Sequence, residues 1–548
     1  MPEQTAKLTR FRFGGLNWVA EPYAEEMLRS RILPGLEHPE DAGAETVKRS
    51  TTRAIYRLEA EGRAVFIKQH RLRSARERLK YLVVRSRAAA EWATSRTMAL
   101  RGIPVPRAIA FGERRVAGIL CEAVLITEEI SDARPLSEVL EKDFAPGTTG
   151  TAFRSKRALL RAVAELIRRT HESDVLHCDL HGGNILVKDE SLFLIDLHRT
   201  RLGPVSDRRR AANLGQFLAF LRDLLSPGDR MHLLRSYRGD DDSEPSLREF
   251  ARSVGRFATR VRERRYVSRA KRCVKRSTGF RHGRVQGLRV HRRADFPADL
   301  VGEAIEKHRT AEAALKEDHR SRVTAVEVAG RPVCVKEFAR PALLKRIADL
   351  ARGSKAMRAW RGAHALAVRG IDTPRPLAMA EAGGRSYLLT AFVSEATELK
   401  HFAARHCRPG PGEPARRWHR FVRLAAEFVR RLHDHRVYHR DLSAKNILVR
   451  EDGEGWQLLL VDTGDVSRRR RPPSLSERVR NLGQLDQIYV KPARTDRLRF
   501  YRRYSRGRPE FDDPALLARI DAISRQRHEH WLESEEAKRV GADPERQL

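Results

Sequence analysis

The sequence predicts an α+β protein built from two tandem copies of one domain, each with a small β-rich lobe followed by a helical lobe. Residues 177–187, His-Cys-Asp-Leu-His-Gly-Gly-Asn-Ile-Leu-Val, return in altered form as residues 439–449. Each copy is followed by a second apolar run that ends in an aspartate, Asp196 or Asp462. Matching segments on both sides keep an almost constant offset, which indicates duplication of a whole domain.

Both halves begin with strand-like apolar runs that end in a lysine, residues 65–68 and residues 333–336. A helix is predicted next, and a glycine followed by an extended, proline-containing stretch ends it. A second apolar run then leads into the connection between the lobes. The matched segments are residues 100–106 and 368–374 for the glycine stop, and residues 124–127 and 387–390 for the second run.

The helical lobe of each half begins with an amphipathic helix that ends just before the repeated motif. The apolar face of this helix contains Leu159, Val163, Leu166 and Ile167 in the first half and Phe421, Leu424, Ala425, Phe428 and Leu432 in the second. Beyond the motif, the Asn-Leu-Gly-Gln of residues 213–216 returns at residues 481–484. We place the join near Ser277, where a basic helical stretch ends, and predict domains over residues 1–277 and 278–548.

The repeated motif contains the residue types that phosphoryl transfer from ATP requires. Asp179 and Asp441 are predicted to accept the proton of an acceptor hydroxyl, or to orient that hydroxyl. The oxygen atoms of a following asparagine and of the second aspartate are hard ligands suited to Mg²⁺. The predicted metal ligands are Asn184 and Asp196 in the first half and Asn446 and Asp462 in the second. One copy would also fit a turn before a strand, but two copies with matching flanks favour the functional interpretation.

A lysine at the end of an apolar strand can place its charge against the α- and β-phosphates of ATP. Lys68 and Lys336 are predicted to bind the nucleotide in this way. A carboxylate on the following helix would orient the lysine, and in the first half Glu91 is the candidate, with Glu77 as its competitor.

The second half lacks this carboxylate at the matching place. The residue there, beside Trp360, is Ala359. Glu337 and Glu395 are the alternative partners for Lys336, although neither lies at the matching position.

A glycine-rich phosphate loop is absent from both halves, and no P-loop motif occurs. Residues 48–53 and residues 318–322 offer basic turns where such a loop would lie. Side-chain cations would then partly replace the backbone amides that usually hold phosphate.

The composition limits the partners and the compartment. A net charge of +36 attracts anionic surfaces, whether phospholipid, phosphorylated sugar or nucleic acid. The basic runs contain few aromatic residues, which disfavours nucleic acid. Five scattered cysteines without zinc-ligand spacing are typical of reduced thiols in a cytosol. The sequence shows no signal-peptide core and no stretch of membrane-spanning length, so we expect a protein that is soluble or attached to a surface.

These features resemble the protein-kinase-like superfamily and, within it, the bacterial lipopolysaccharide core kinases, which phosphorylate heptose or Kdo sugars at the cytoplasmic face of the inner membrane. The resemblance is carried by residues 47–68, 91–106, 177–187 and 195–199, spans about residues 45–216, and repeats over residues 313–484. It implies two tandem protein-kinase-like domains, each with a small β-rich N-lobe and a helical C-lobe. It also implies ATP and Mg²⁺ as cofactors, an anionic glycolipid substrate, and a cytoplasmic protein in peripheral contact with the inner membrane. The oligomeric state is not determined by the sequence.

Several positions differ from conventional protein kinases. Serine/threonine kinases carry a lysine two residues after the catalytic aspartate, where this chain has His181 or Ser443. The Asp-Phe-Gly triplet of protein kinases is replaced by Asp-Leu-His at residues 196–198 and by Asp-Thr-Gly at residues 462–464. No Ala-Pro-Glu follows either triplet. Because Ala359 removes the charge that would orient the lysine, the first half is the better catalytic candidate. The second half is expected to be weakly active, to act on a different acceptor, or to be purely regulatory.

The leading hypothesis is therefore ATP-dependent phosphorylation of a sugar hydroxyl on an anionic glycolipid such as the lipopolysaccharide inner core. One alternative is a small-molecule or protein kinase, because aminoglycoside and choline kinases share these motifs. The other is a catalytically silent scaffold whose basic surface binds membrane or nucleic acid.

Overall fold

The computed structural model describes residues 8–532 apart from residues 37–39, 42, 51, 61, 73–77, 79–80, 145–148, 240–245, 340–352, 383, 454, 469–470 and 487–491. Contacts group the chain into two compact units, Met1–Arg264 and Arg265–Leu548. The join after residue 277 stays a prediction. Cys273, just before the predicted join, lies within the second unit, where its carbonyl oxygen accepts from Trp360 Nε1 at 3.0 Å.

The first unit opens with a seven-stranded antiparallel sheet in the order β1-β2-β6-β7-β5-β4-β3. Its strands are β1 Thr9–Phe13, β2 Leu16–Ala20, β3 Glu45–Arg49, β4 Arg53–Ala60, β5 Arg63–Arg71, β6 Ala108–Val116 and β7 Ile119–Glu128. Side chains alternate between the two faces of a strand, so the buried Val65 and Ile67 pack in the core while Lys68 points to the other face.

Helices dominate the rest of the first unit. They are α1 Arg87–Leu100, α2 Leu136–Lys142, α3 Gly150–Glu172, α4 Asp207–Phe220, α5 Pro227–Arg238 and α6 Leu247–Ala270, of which α6 continues into the second unit. Short strands lie among them, namely β8 Arg134–Pro135, β9 Val175–His177, β10 Ile185–Lys188, β11 Ser191–Leu194 and β12 Thr200–Leu202. Strands β8, β10 and β11 pair in one small sheet, and β9 pairs with β12.

The second unit repeats this plan with a seven-stranded sheet in the order β13-β14-β18-β19-β17-β16-β15. Its sheet strands are β13 Phe280–Val285, β14 Leu288–Arg293, β15 Lys316–Asp318, β16 Ser321–Val328, β17 Arg331–Phe338, β18 Pro376–Ala382 and β19 Arg385–Ala391. The short strands are β20 Ala396–Glu398, β21 Val437–His439, β22 Ile447–Asp452, β23 Gly455–Leu460 and β24 Val466–Arg468. Its helices are α7 Asp299–Thr310, α8 Lys355–Ala367, α9 Leu399–His406, α10 Glu413–Asp434, α11 Leu475–Leu485, α12 Arg494–Ser505 and α13 Ala515–Leu532.

The long amphipathic helices α3 and α10 form the centres of the two helical cores. The buried residues on α3 include Val163, Leu166 and Ile167, and Leu159 lies half-buried at the edge of the core. Helix α1 ends at the glycine that the sequence predicted as its stop. Gly102 has a φ of 69°, which other residues rarely adopt. The expectation of an α+β chain with two β-then-helix units is confirmed.

Within the part of the chain that the structure describes, no helix combines the length and the apolar character needed to cross a membrane.

Candidate functional site

In the first unit, Lys68 and Glu91 form an ion pair beneath the sheet. Lys68 Nζ donates to Glu91 Oε1 at 2.6 Å, and both side chains are largely buried. Strand β5 supplies the lysine, and helix α1 supplies the glutamate. The hydroxyl of Ser86 caps this helix by accepting from the backbone N–H of Ala89 at 3.1 Å. Glu77, the competing candidate, lies outside the described residues.

The aspartate after β11 joins this pair. Asp196 adopts a left-handed backbone conformation with a φ of 60°. Its Oδ1 accepts a hydrogen bond from His198 Nδ1 at 2.6 Å and lies 3.9 Å from Arg53 Nη2. Possible ligand atoms of Glu91, Asp196 and His198 all lie within 4.8 Å of one another. Lys68, Glu91 and Asp196 therefore converge on one place.

Burial raises the pKa of Asp196, because it disfavours the charged carboxylate. The hydrogen bond and charge of His198, together with the charges of Arg53 and Lys68, lower that pKa by more. The pKa of Asp196 is therefore well below its usual range. An ionised carboxylate at this place is suited to a cation, and Arg53 reaches it from the basic turn that was predicted in place of a phosphate loop.

The loop that contains Asp179 lies against the same segment. Asn184 Nδ2 donates to the carbonyl oxygen of Asp179 at 2.9 Å, and the backbone N–H of Ile195 donates to the carbonyl oxygen of Asn184 at 3.0 Å. His177 Nε2 lies 3.0 Å from the carbonyl oxygen of Ile195. Burial lowers the pKa of His177, so the neutral ring donates to this carbonyl and braces the loop. The carboxylate of Asp179 lies 3.7 Å from Arg199 Nη1.

A buried network behind the loop was not anticipated from the sequence. His171 Nδ1 lies 2.8 Å from the hydroxyl of Tyr237, and its Nε2 lies 3.0 Å from Asn213 Oδ1. Because an amide oxygen can only accept, Nε2 donates and the hydroxyl donates to Nδ1. Asn213 Nδ2 then donates to the carbonyl oxygen of His177 at 2.9 Å. These three side chains thus hold the backbone of the motif from behind, together with Gln216 Nε2, which donates to the carbonyl oxygen of Cys178 at 3.2 Å.

The second unit contains the same network. His433 Nδ1 lies 2.6 Å from the hydroxyl of Tyr504, His433 Nε2 lies 3.1 Å from Asn481 Oδ1, and Asn481 Nδ2 donates to the carbonyl oxygen of His439 at 2.7 Å. Gln484 Nε2 donates to the carbonyl oxygen of Arg440 at 2.8 Å. The repeated Asn-Leu-Gly-Gln sequence was the available signal, because its first and last residues make these contacts in both units.

The lysine of the second unit has a different partner. Lys336 Nζ donates to Asp462 Oδ1 at 3.0 Å. Glu337 contacts His308 Nε2 at 3.2 Å and Arg385 at 3.4 Å, so it is engaged elsewhere. At the place of the missing glutamate, the carbonyl oxygen of Ala359 accepts from Thr463 Oγ1 at 2.8 Å.

Helix α8 lies unusually close to the residues after Asp462. A Cβ added at Gly362 would lie 2.0 Å from the carbonyl oxygen of Thr463. Helix and loop therefore pack backbone against backbone at this point. Nearby, Ala359 and Gly464 stand at the positions that Glu91 and His198 have in the first unit. Glu395, the other alternative partner of Lys336, lies in the turn before β20 with a φ of 55°.

Asp441 is also occupied by a protein group. Arg527 Nη2, on α13, donates to Asp441 Oδ1 at 2.8 Å. Asn446 Nδ2 donates to the carbonyl oxygen of Asp441 at 2.8 Å and lies 3.3 Å from its Oδ2. The second unit thus has the same loop geometry as the first, but its aspartates have different partners: Lys336 and Arg527 hydrogen-bond Asp462 and Asp441 directly.

The family profile described as "Lipopolysaccharide kinase (Kdo/WaaP) family" matches residues 37–237 and again residues 300–504. The two matches together cover more than half of the chain. The chain belongs to the lipopolysaccharide kinase (Kdo/WaaP) family. The resemblance stated from the sequence is confirmed, and so is the prediction of two tandem protein-kinase-like domains.

Individual relatives match over shorter stretches. The chain is 31% identical over 116 residues to a 3-deoxy-D-manno-octulosonic acid kinase of Photobacterium profundum, which covers 21% of this chain and 44% of the relative. It is 27% identical over 165 residues to a kinase of the same name from Actinobacillus succinogenes, covering 28% and 64%. The chain spans about half the length of the curated relatives it matches. A solved structure titled "WaaP in complex with acyl carrier protein" is similar at 23% identity and a TM-score of 0.34, covering 45% of this chain and 95% of that one.

Within this lipopolysaccharide kinase family member, the donor set of the first unit fits a divalent cation. Asp196 offers an ionised carboxylate, and the amide nitrogen of Asn184 is used by the backbone of Asp179. Among the described residues, Asn184 Oδ1 accepts no hydrogen bond and is a hard oxygen donor of the kind that Mg²⁺ prefers. The metal and nucleotide roles of these residues stay predictions.

Proposed function

We propose that this protein is an ATP- and Mg²⁺-dependent kinase that phosphorylates a sugar hydroxyl of an anionic glycolipid such as the lipopolysaccharide inner core. The observation that carries the proposal is the convergence of Lys68, Glu91 and Asp196 beside the loop of Asp179 and Asn184 in the first unit. These residue types in this arrangement are those that phosphoryl transfer uses.

Each residue has a role that follows from its contacts. Glu91 holds the Lys68 ammonium in place, so that this charge can meet the phosphates of the nucleotide. Asn184 Oδ1 and the carboxylate of Asp196 would hold Mg²⁺. When bound, the ion would neutralise phosphate charge. His198 and Arg53 keep Asp196 ionised, and therefore able to bind a cation at neutral pH.

Asp179 is proposed to orient the acceptor hydroxyl and to accept its proton. Its loop is held by Asn213 and Gln216, which fixes where the carboxylate lies. Arg199 lies beside Asp179 with its side chain largely exposed. A guanidinium at this place is suited to hold an anionic group of the acceptor next to the reacting hydroxyl.

Catalysis is assigned to the first unit. In the second unit Lys336 pairs with Asp462, and Arg527 pairs with Asp441. Both contacts use groups that the nucleotide, the metal or the acceptor would need. We therefore assign Lys336, Asp441, Asn446 and Asp462 to a domain that transfers little or no phosphate.

The acceptor class rests on charge and on family membership. A net charge of +36 favours an anionic substrate and an anionic surface. The relatives that match are named for a kinase acting on 3-deoxy-D-manno-octulosonic acid. A lipid-borne acceptor of this kind places the protein at the cytoplasmic face of the inner membrane, in peripheral contact with it.

The test is transfer of radiolabelled phosphate from ATP to purified core glycolipid in detergent. We expect Asp179→Asn to reduce the rate by about a hundredfold or more, the usual scale for loss of a general base. The matched variant Asp441→Asn should leave the rate within about twofold of the unmodified protein. Equal transfer by the unmodified protein and by Asp179→Asn would remove Asp179 from the mechanism. A preference for free sugars, aminoglycosides or basic proteins as acceptors would replace the glycolipid assignment.

A further inference from the structure

We propose that an apolar tip on the β-rich lobe of the first unit docks this protein onto an anionic lipid bilayer. The apolar tip consists of residues 82–84, which precede α1, and Val116, at the turn between β6 and β7. This inference rests on the proposed function in one respect, namely that the acceptor is carried by a membrane.

The four side chains of the apolar tip are exposed to an unusual degree. Val83 is 92% exposed, Val116 60%, Leu82 52% and Val84 51%. Single exposed aliphatic residues are common on protein surfaces, but three in succession are not. A strip of this kind is typical of a surface that meets an apolar phase.

Buried anchors lie under the apolar tip. Tyr81 is 5% exposed and packs with Leu72 and Leu120 in a small cluster of its own. Arg115 Nη1 donates to the carbonyl oxygens of Tyr81 at 3.3 Å and Gly118 at 3.2 Å. One guanidinium therefore ties the segment before α1 to the β6–β7 turn.

Cations border the apolar tip. Arg85 and Arg87 are exposed, and neither forms an ion pair within the part of the chain that the structure describes. Arg114 is also exposed, although it pairs with Glu122 at 2.7 Å. Unpaired arginines next to aliphatic side chains suit a bilayer, where phosphate head groups lie just above acyl chains. The apolar tip has no aromatic or methionine anchor of the kind that protein interfaces favour, so a lipid surface fits it better.

The apolar tip continues directly into the helix that holds the lysine. Ser86 caps α1, and Glu91 lies about 8 Å further along this helix. Docking would therefore hold the N-terminus of α1 at the bilayer and keep the candidate site close to lipid-borne acceptors.

The experiment is sedimentation of the full chain with vesicles of phosphatidylcholine, with or without phosphatidylglycerol. We expect the double variant Val83→Ser, Val116→Ser to weaken binding to the mixed vesicles by at least about tenfold. Leu100→Ser is the matched control, because Leu100 is 83% exposed at the other end of the same helix. It should bind as the unmodified protein does. The double variant Arg85→Gln, Arg87→Gln should lose binding to the mixed vesicles while any binding to neutral vesicles is unchanged.

A gain of function provides the second readout. Val83→Trp adds an interfacial side chain at a solvated position, so binding should tighten and the indole fluorescence should shift to the blue with vesicles. Unchanged binding of the Val83→Ser, Val116→Ser variant, or no fluorescence shift for Val83→Trp, would overturn the proposal. So would loss of binding by Leu100→Ser to the same extent.

Phosphate transfer in detergent separates this inference from the proposed function. The Val83→Ser, Val116→Ser variant should phosphorylate detergent-dispersed glycolipid at the unmodified rate, because no bilayer has to be reached. Loss of vesicle binding with intact transfer supports the apolar tip as a docking surface. Normal vesicle binding by a protein that transfers no phosphate would instead contradict only the kinase proposal.

Discussion

Arg527 donates to Asp441, with Nη2 of the guanidinium 2.8 Å from Oδ1 of the carboxylate. The cation comes from α13, the last helix described in the second unit. In the first unit the matching Asp179 has Arg199 at 3.7 Å, on the segment that follows Asp196. Asp179 and Asp441 thus lie near arginines from different elements. Arg527 forms a hydrogen bond with Asp441, whereas Arg199 lies too far from Asp179 to do so.

The pairing of Arg527 predicts how the second unit responds when the pair is removed. The change Arg527→Gln frees Asp441 but leaves Lys336 paired with Asp462, so we expect no gain of phosphate transfer. The measurement is transfer by the double variant Asp179→Asn, Arg527→Gln, which should be as inactive as Asp179→Asn alone. Recovery of transfer would instead identify Arg527 as a latch on a latent second active site. Because the pair is partly exposed, Arg527→Gln should cost about 1 kcal/mol of stability or less.

The two lysines offer a matched pair for nucleotide binding. Lys68→Met removes the charge held by Glu91, and we expect the rise in melting temperature caused by ATP and Mg²⁺ to disappear. Lys336→Met, its counterpart in the second unit, should leave that rise in place. Lys68→Met also leaves Glu91 buried without its cation, so the protein without nucleotide should melt at a lower temperature. An ATP-dependent rise that persists in Lys68→Met and vanishes in Lys336→Met would reverse the assignment of the two units.

Arg199 is predicted to act on the acceptor and not on ATP. Arg199→Gln should raise the KM for the anionic glycolipid by about tenfold, the scale of one charge-assisted hydrogen bond, while the KM for ATP changes little. Arg201→Gln, an exposed neighbour two positions along the chain, is the control and should change neither constant. Equal effects of Arg199→Gln on both constants would point to disruption of the loop.

The buried histidines predict a loss of stability in acid. Burial lowers the pKa of His171 to about 4 and that of His433 to about 3, although the hydrogen bonds that the rings donate to Asn213 and Asn481 act in the opposite direction. An unfolded chain binds these protons near the ordinary pKa of 6.5, so below that pH it holds more protons than the folded one. Stability should therefore fall as the pH drops from 6.5 towards 4, by about 3 kcal/mol for His171.

The check is the melting temperature measured across that pH range. His171→Gln should lower the melting temperature at pH 7, since the contacts to Tyr237 and Asn213 are lost, and should flatten its dependence on pH. Substitution of the exposed His319 by Gln is the control and should leave the slope unchanged. A slope that is the same in His171→Gln as in the unmodified protein would rule out the buried ring as its source.

Local patterns predicted the elements that hold the first site. A short apolar run that ends in lysine predicted a strand at Lys68, and a glycine predicted the end of the helix that contains Glu91. The basic turn at residues 48–53 was predicted as a substitute for a phosphate loop, and Arg53 does lie near Asp196 at 3.9 Å. His198 was not singled out, because a histidine two residues after an aspartate has no pattern of its own.

The sequence by itself determined the duplication, the order of the lobes and the residue types of the site, because these are encoded in short segments and in spacing along the chain. The tertiary structure decided which charges meet. Lys336 and Asp462 are separated by 126 residues, and Asp441 and Arg527 by 86. No periodicity links residues so far apart, and only the packing of α8 and α13 brings their charges within hydrogen-bonding distance. The loss of the glutamate at Ala359 was visible in the sequence, but the ion pairs that form in the second unit depend on that packing.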